Sequence, residues 1–257
     1  DGFYNVGYDD FDALISIGVS EGFDSSCKVF TASAQFAYKG CSNFANHFEI
    51  PFPNEESIDF CLDKVAYYNY FLKNDIPLPN TSFVKNEEEL KKELDQFKSS
   101  NWFYLKSDFS KNPNYVYKFK NDEVPFKDFF WGRNRYLKKL YILQEEYIGT
   151  SLRINIYGDR FNVIDFYSSK YTYEHHSRIE ELNVIETLRE LMKKIGIQDW
   201  LIKFDIILGI DGYVILDIGL DPPSRMKQKA IDQNINFEYF YIRHYIENII
   251  EYPLSLD

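Results

Sequence analysis

The first long apolar run, Ala13 to Val19, reads as a buried strand, and short polar and glycine-containing segments follow as far as Pro51-Phe52-Pro53. That pattern predicts part of a small α/β lobe. A helix is expected to begin near Asn54 to Ser57, where small polar caps precede apolar residues at helical spacing: Ile58, Cys61, Leu62, Val65, Tyr68, Phe71 and Leu72. It ends before Pro77. Thr81 to Val84 reads as a short strand. Asn86 then caps a helix with Glu89 three residues on, a capping-box arrangement supported by the i,i+4 pairs Glu87 with Lys91 and Glu88 with Lys92.

From Asn101 the pattern changes to strands: Trp102 to Lys106, Tyr115 to Lys120, Tyr141 to Ile148, Leu152 to Tyr157 and Phe161 to Tyr167. The turn Tyr157-Gly158-Asp159-Arg160 joins the last two as a hairpin. A helix with Leu182, Ile185, Leu188, Met192 and Ile195 on one face stops at Gly196. Strands Leu201 to Leu208 and Tyr213 to Ile218 follow, then an aromatic helix around Phe237 to Ile250. The class is mixed α/β of the α+β kind, with largely antiparallel strands.

The 257 residues are 45% apolar and 27% charged, enough to bury a core. A net charge of -11 repels phosphate polymers and anionic membranes, which argues against nucleic acid or membrane partners. No apolar run approaches a membrane span of about 20 residues, and no basic start precedes an apolar stretch, so a cytoplasmic location is expected. Cys27, Cys41 and Cys61 are too few and too widely spaced for a disulfide framework or a CxxC zinc pair. An oligomer through the C-terminal aromatic helix competes with intramolecular packing of that helix.

Candidate chemistry centres on the last hairpin. Gly209-Ile210-Asp211-Gly212 separates two apolar runs, and pairing Leu208 with Val214 sets Asp205 directly opposite Asp217. Like charges at that spacing are destabilising, so the two carboxylates need a cation between them or a shared proton. Mg2+ or Mn2+ on Asp205 and Asp217, with Asp221 as a third oxygen ligand, answers this, and such ions take substrate phosphates as remaining ligands. Pairing of Asp205 with Lys203 or another base answers it too. Lys106, at the junction of a strand and a polar loop, is either a phosphate ligand or a snorkelling surface residue. His175 and His176 are placed in a polar loop, where adjacent side chains diverge too far to share a metal.

The order of these motifs resembles the ATP-grasp superfamily of carboxylate-amine ligases from Asp63 to about Asp221. Asp63-Lys64 with Asn74-Asp75-Ile76-Pro77-Leu78-Pro79 resembles the family's helix-and-turn. Lys106 falls at its second nucleotide lysine, Leu143 to Gly149 at its hinge, Phe166 to Tyr171 at a segment carrying a further lysine, and Asp205 and Asp217 at its metal carboxylates.

The resemblance implies two α+β lobes gripping ATP plus a short N-terminal α/β lobe, divided as 1–98, 101–148 and 149–257. It implies ATP and Mg2+ (or Mn2+) as cofactors, and activation of a small-molecule carboxylate as an acyl phosphate for attack by an amine. The nucleotide ligands would be Lys64, Lys106, Ser107, Ser110, Glu145, Glu146, Ile148, Ser151 and Lys170, with backbone near Glu146 and Ile148 reading adenine. Arg153 and Arg225 would hold the acyl phosphate or acceptor carboxylate, unless they form salt bridges. The loop after Lys106 lacks the family's glycines, Gly219 replaces an expected asparagine, and Ser151 stands where an acidic ribose ligand is usual. A nucleotide-binding protein without turnover and a small-molecule kinase are therefore alternative readings.

Overall fold

The computed structural model describes residues 4–7, 9–29, 31, 37–97, 101–107, 116–120, 140–157, 160–165, 172–197 and 200–220. The chain begins with helices, not the strand expected at Ala13 to Val19. That run forms α1 (Phe11–Ser20), capped by the Asp10 side chain, which accepts from Ala13 N at 3.2 Å. An apolar run becomes a strand only where a sheet edge exists to pair it. Here the partner is α2 (Ala37–His47), and Gly18 sits so close to the Phe44 and Phe48 rings that a Cβ would lie 2.5 Å from Phe48.

The single helix expected after Asn54 is two. α3 (Glu55–Leu62) and α4 (Lys64–Lys73) are divided at Asp63, whose extended backbone lets its carboxylate accept from Val65 N and Ala66 N. Asp63 is thus a cap, and the break re-aims α4.

β1 (Thr81–Val84), β2 (Trp102–Ser107), β3 (Val116–Lys120) and β4 (Tyr141–Glu145) form an antiparallel sheet in the order β1-β4-β2-β3. α5 (Glu87–Leu94) covers one face, where Leu90, Leu94 and Phe97 meet Phe103, Leu105, Phe119 and Leu143. Asn86 caps it as expected, accepting from Glu89 N at 2.9 Å, and Lys91 pairs with Glu87, but the box does not close: the Glu89 carboxylate accepts from Lys85 N at 2.8 Å.

β5 (Thr150–Tyr157), β6 (Arg160–Asp165), β7 (Ile202–Leu208) and β8 (Tyr213–Gly219) form a second antiparallel sheet, ordered β6-β5-β7-β8. Leu152, Ile154 and Ile156 of β5 and Ile202, Phe204 and Ile206 of β7 share a core with Ile185, Leu188 and Met192 of α7 (Val184–Lys194). The Tyr67, Tyr68 and Phe71 side chains of α4 join this core, so the N-terminal helices and the larger sheet are packed as one. His175 and His176 lie on α6 (Tyr173–Glu181), not in a loop. The Thr172 cap and the His175 ring satisfy each other's backbone N–H groups, and His176 faces Glu180 at 3.4 Å. No helix among the described residues is long and apolar enough to cross a membrane.

Candidate active site

Strand alternation places Leu152, Ile154 and Ile156 in the core, so Ser151, Arg153 and Asn155 project from the other face of β5. Lys203 and Asp205 of β7 lie on that same face. Arg153, Asp205 and Asp217 stand in one row across three strands.

The expected opposition of the two aspartates is present, but the register around it differs. Leu208 pairs with Tyr213, Ile207 with Val214 and Ile206 with Ile215, and a bulge before Asp217 restores Asp205 to Asp217. Leu216 is the extra residue. The bulge buries Ile215 fully while Asp217 turns to the opposite face, which an unbroken two-residue alternation does not allow.

Each carboxylate already holds a protein cation. Arg153 donates to Asp205 through Nε at 2.6 Å and Nη2 at 2.8 Å, a bidentate pair with both side chains nearly buried. Burial raises the Asp205 carboxyl above its ordinary value, and Arg153 pulls it back. Lys64, buried at the start of α4, lies 2.5 Å from Asp217, whose carboxylate also accepts from the Tyr67 hydroxyl at 2.7 Å.

Lys106 arrives from the small sheet. Its amino group donates to the Tyr68 hydroxyl at 3.3 Å and lies 5.7 Å from that ring's centroid. The Tyr68 hydroxyl in turn donates to the Leu216 carbonyl. Burial and the neighbouring Lys64 push the Lys106 amino group down to about 7, with Asp217 and Asp205 opposing them.

Two opposed carboxylates are hard donors that fit one Mg2+ with waters and phosphate oxygens completing its shell. Among the described residues no group of three His, Cys, Asp or Glu is assembled, and the third expected ligand, Asp221, lies outside them. Ser110, Lys170 and Arg225 also lie outside the described residues, as do the aromatic C-terminal helix and most of the loop after Ser107. Ser107 is buried at the end of β2.

At the hinge, Glu145 is buried and accepts from Asn80 Nδ2 at 3.2 Å. The Glu146 carboxylate pairs with Lys118 at 2.6 Å and its N–H donates to the Trp102 carbonyl. That N–H is therefore committed within the protein. Ile148 is 84% exposed, and Ser151 is half-buried opposite Ile207.

In the sequence Tyr68 reads only as an apolar position of its helix and Tyr67 is not singled out, yet both hydroxyls reach the site. The signal was present: they stand three and four residues after Lys64, on its helix face. Lys203, read from the sequence as one possible partner of Asp205, lays its stem across Gly219, where a Cβ would sit 2.2 Å from Lys203 Cε, and the bidentate partner of Asp205 is Arg153. Asn155 is fully buried on the same face, and its side-chain amide has no hydrogen-bond partner among the described residues.

No protein-family model matches the sequence, and no curated protein does. Solved structures do. D-alanyl-alanine synthetase A from Vibrio cholerae superposes with a TM-score of 0.59 at 14% identity, covering 83% of this chain and 73% of that one. L-amino acid ligase from Bacillus licheniformis gives 0.62 at 14%, with 92% and 59% covered. A RimK domain ATP-grasp protein from Sphaerobacter thermophilus gives 0.57 at 14%, with 90% and 93% covered. The chain thus spans about three-fifths of the Bacillus ligase and nearly all of the Sphaerobacter protein. The likeness runs through both antiparallel sheets and the helices packed on them, and the chain has the ATP-grasp fold.

Proposed function

We propose that this chain is an ATP- and Mg2+-dependent ligase that joins a small-molecule carboxylate to an amine. The observation that carries the reading is the convergence of Lys64, Lys106 and Arg153 on the Asp205–Asp217 pair where the two sheets meet. The solved structures of similar fold include an amino acid ligase and a dipeptide synthetase, which supports the class.

In the first step a carboxylate oxygen attacks the γ-phosphorus and ADP leaves. In the second the amine nitrogen attacks the acyl carbon, phosphate leaves and the amine gives up a proton. Lys64 and Lys106 bind and neutralise phosphate oxygens, and Arg153 holds the acyl group or the acceptor carboxylate in bidentate geometry. Asp205 and Asp217 would hold the metal, which would supply charge neutralisation at the transferring phosphoryl group. Arg153 and Lys64 now neutralise these carboxylates, so a metal held there would take over that charge and leave the two cations to pair with acyl and phosphate oxygens. Ile148 and the Glu146 carbonyl border adenine, while Ser107, Ser110, Ser151 and Lys170 complete the nucleotide contacts. Asp221 adds a metal oxygen, and Arg225 a second guanidinium.

Calorimetric titration with ATP in Mg2+ and in EDTA tests the binding half. Tighter binding with Mg2+, weakened in Asp217→Asn, is the expected result; absence of ATP binding sinks the proposal. ADP release on adding a panel of amino acids, with an amide product by mass spectrometry, tests the chemistry. ATP binding without ADP release from any acceptor favours the silent binding protein, and a phosphorylated product favours the kinase.

A further inference from the structure

We propose that Tyr68 is a positioning residue that holds the Lys106 amino group of the small sheet against the bulged strand of the large one. The proposal rests on the reading of Lys106 as a nucleotide ligand and adds what sets that lysine's place and charge.

Tyr68 is fully buried, and its ring packs on Tyr67 at 4.6 Å and on Phe71 at 6.3 Å between centroids. Phenylalanine would make those contacts equally. The hydroxyl does something else: it donates its proton to the carbonyl of Leu216, the bulge residue beside Asp217, and offers a lone pair to the Lys106 amino group at 3.3 Å. One oxygen therefore connects α4, β2 and β8, the three elements that supply Lys64, Lys106 and Asp217. A β-bulge leaves its extra residue out of the ladder, so the Leu216 carbonyl needs a partner from elsewhere, and Tyr68 is that partner.

The charged groups facing Lys106 are Lys64 on α4, Asp217 on β8 and Asp205 on β7. Tyr67 and Tyr68 on α4 are neutral at physiological pH, burial raising both hydroxyls. The strand partners of Lys106, Val116 and Ile142, do not titrate. Burial and Lys64 lower Lys106 to about 7, so its charge near neutrality depends on each contact that favours the ammonium. The Tyr68 oxygen is such a contact. Without it the amino group loses its proton at lower pH and meets phosphate uncharged.

The test compares wild type with Tyr68→Phe. Trace acylation by acetic anhydride across pH, read at the Lys106 peptide by mass spectrometry, gives the titration midpoint without any nucleotide. The expected midpoint is near 7 in wild type, and about one unit lower in the variant. The ratio of wild-type to variant ATP affinity should then be less than twofold at pH 5.5 and about tenfold at pH 8. A merely structural loss gives a ratio that is the same at every pH. An unchanged midpoint, or a constant ratio, overturns the proposal. Should Tyr68→Phe fail to fold, 3-fluorotyrosine at position 68 keeps the shape and weakens the oxygen as acceptor, and its midpoint must move the same way. Wild type that binds no ATP refutes the ligase reading, while the acylation midpoints still decide the role of Tyr68.

Discussion

Lys106, a nucleotide ligand in the proposed function, shows how a buried amino group is held at a cost to stability. Unfolded lysine keeps its proton to about pH 10.4, whereas in the folded chain it releases it near 7. Between those values the unfolded state binds more protons, so stability rises with pH across that window, and the penalty is fully present below pH 7. Lys106→Met should therefore raise stability by up to about 4–5 kcal/mol below pH 7, with the gain fading toward pH 10. Thermal denaturation as a function of pH measures it, and a pH-independent difference would refute the account. Gly149 illustrates the opposite kind of constraint. A Cβ there would lie 2.3 Å from the Leu208 carbonyl oxygen and 2.7 Å from its carbon, both backbone atoms of the paired strand. Gly149→Ala should cost about 1–3 kcal/mol in denaturant unfolding. At Gly219 the obstacle is instead the flexible Lys203 side chain, which can swing aside.

Between α3 and α4 a single aspartate decides where a helix restarts. Removing its carboxylate leaves the Val65 and Ala66 N–H groups without their cap and loosens the turn that carries Lys64. Asp63→Ala should cost about 1 kcal/mol in urea titration. Across β5 and β7, Arg153 and Asp205 act as one unit. Arg153→Met or Asp205→Asn alone leaves a buried charge or dipole unpaired and should cost about 3–5 kcal/mol. The double variant should cost less than the sum by about 0.5–3 kcal/mol. Strict additivity in that cycle would mean that the pair contributes nothing as a pair. These elements were mostly readable, because caps and alternation are local: the Asn86 cap, the strand at Thr81–Val84 and the turn at Gly209 to Gly212, closed by a 2.8 Å bond, all appear in the sequence. The bulge at Leu216 was not readable, since both registers bury apolar residues of β8 and only packing against the core selects Ile215.

The assembled molecule is tied through β8. Tyr38 of α2 donates to the Leu220 carbonyl at 2.5 Å, Ile215 N donates to the Pro77 carbonyl at 2.9 Å, and Lys64 and Tyr68 of α4 reach Asp217 and Leu216. Ligands gripped from both sheets should stabilise the whole unit. Mg-ATP at a hundred times its dissociation constant should add about 2.7 kcal/mol of stability. A thermal-shift measurement reads this, and the gain should fall sharply in Lys64→Met or Lys106→Met. Although the net charge is -11, four of the cationic side chains, Lys64, Lys106, Arg153 and Lys203, are gathered around the aspartate pair. The acidic excess therefore lies elsewhere on the surface and does not bar an anionic ligand.

Local order in the residues determined most strands and caps, because two-residue and 3.6-residue periods are written in neighbouring positions, whereas the opposition of Asp205 to Asp217 is reached through a bulge that this order does not encode. Tertiary structure alone decided that Ala13 to Val19 is a helix, since no sheet edge is offered to it. It alone decided that each aspartate holds a cation from another element: Arg153 stands 52 positions from Asp205, and Lys64 stands 153 from Asp217. Such pairings carry no periodic signature, because the energy that selects them comes from burial and charge neutralisation after the elements have met.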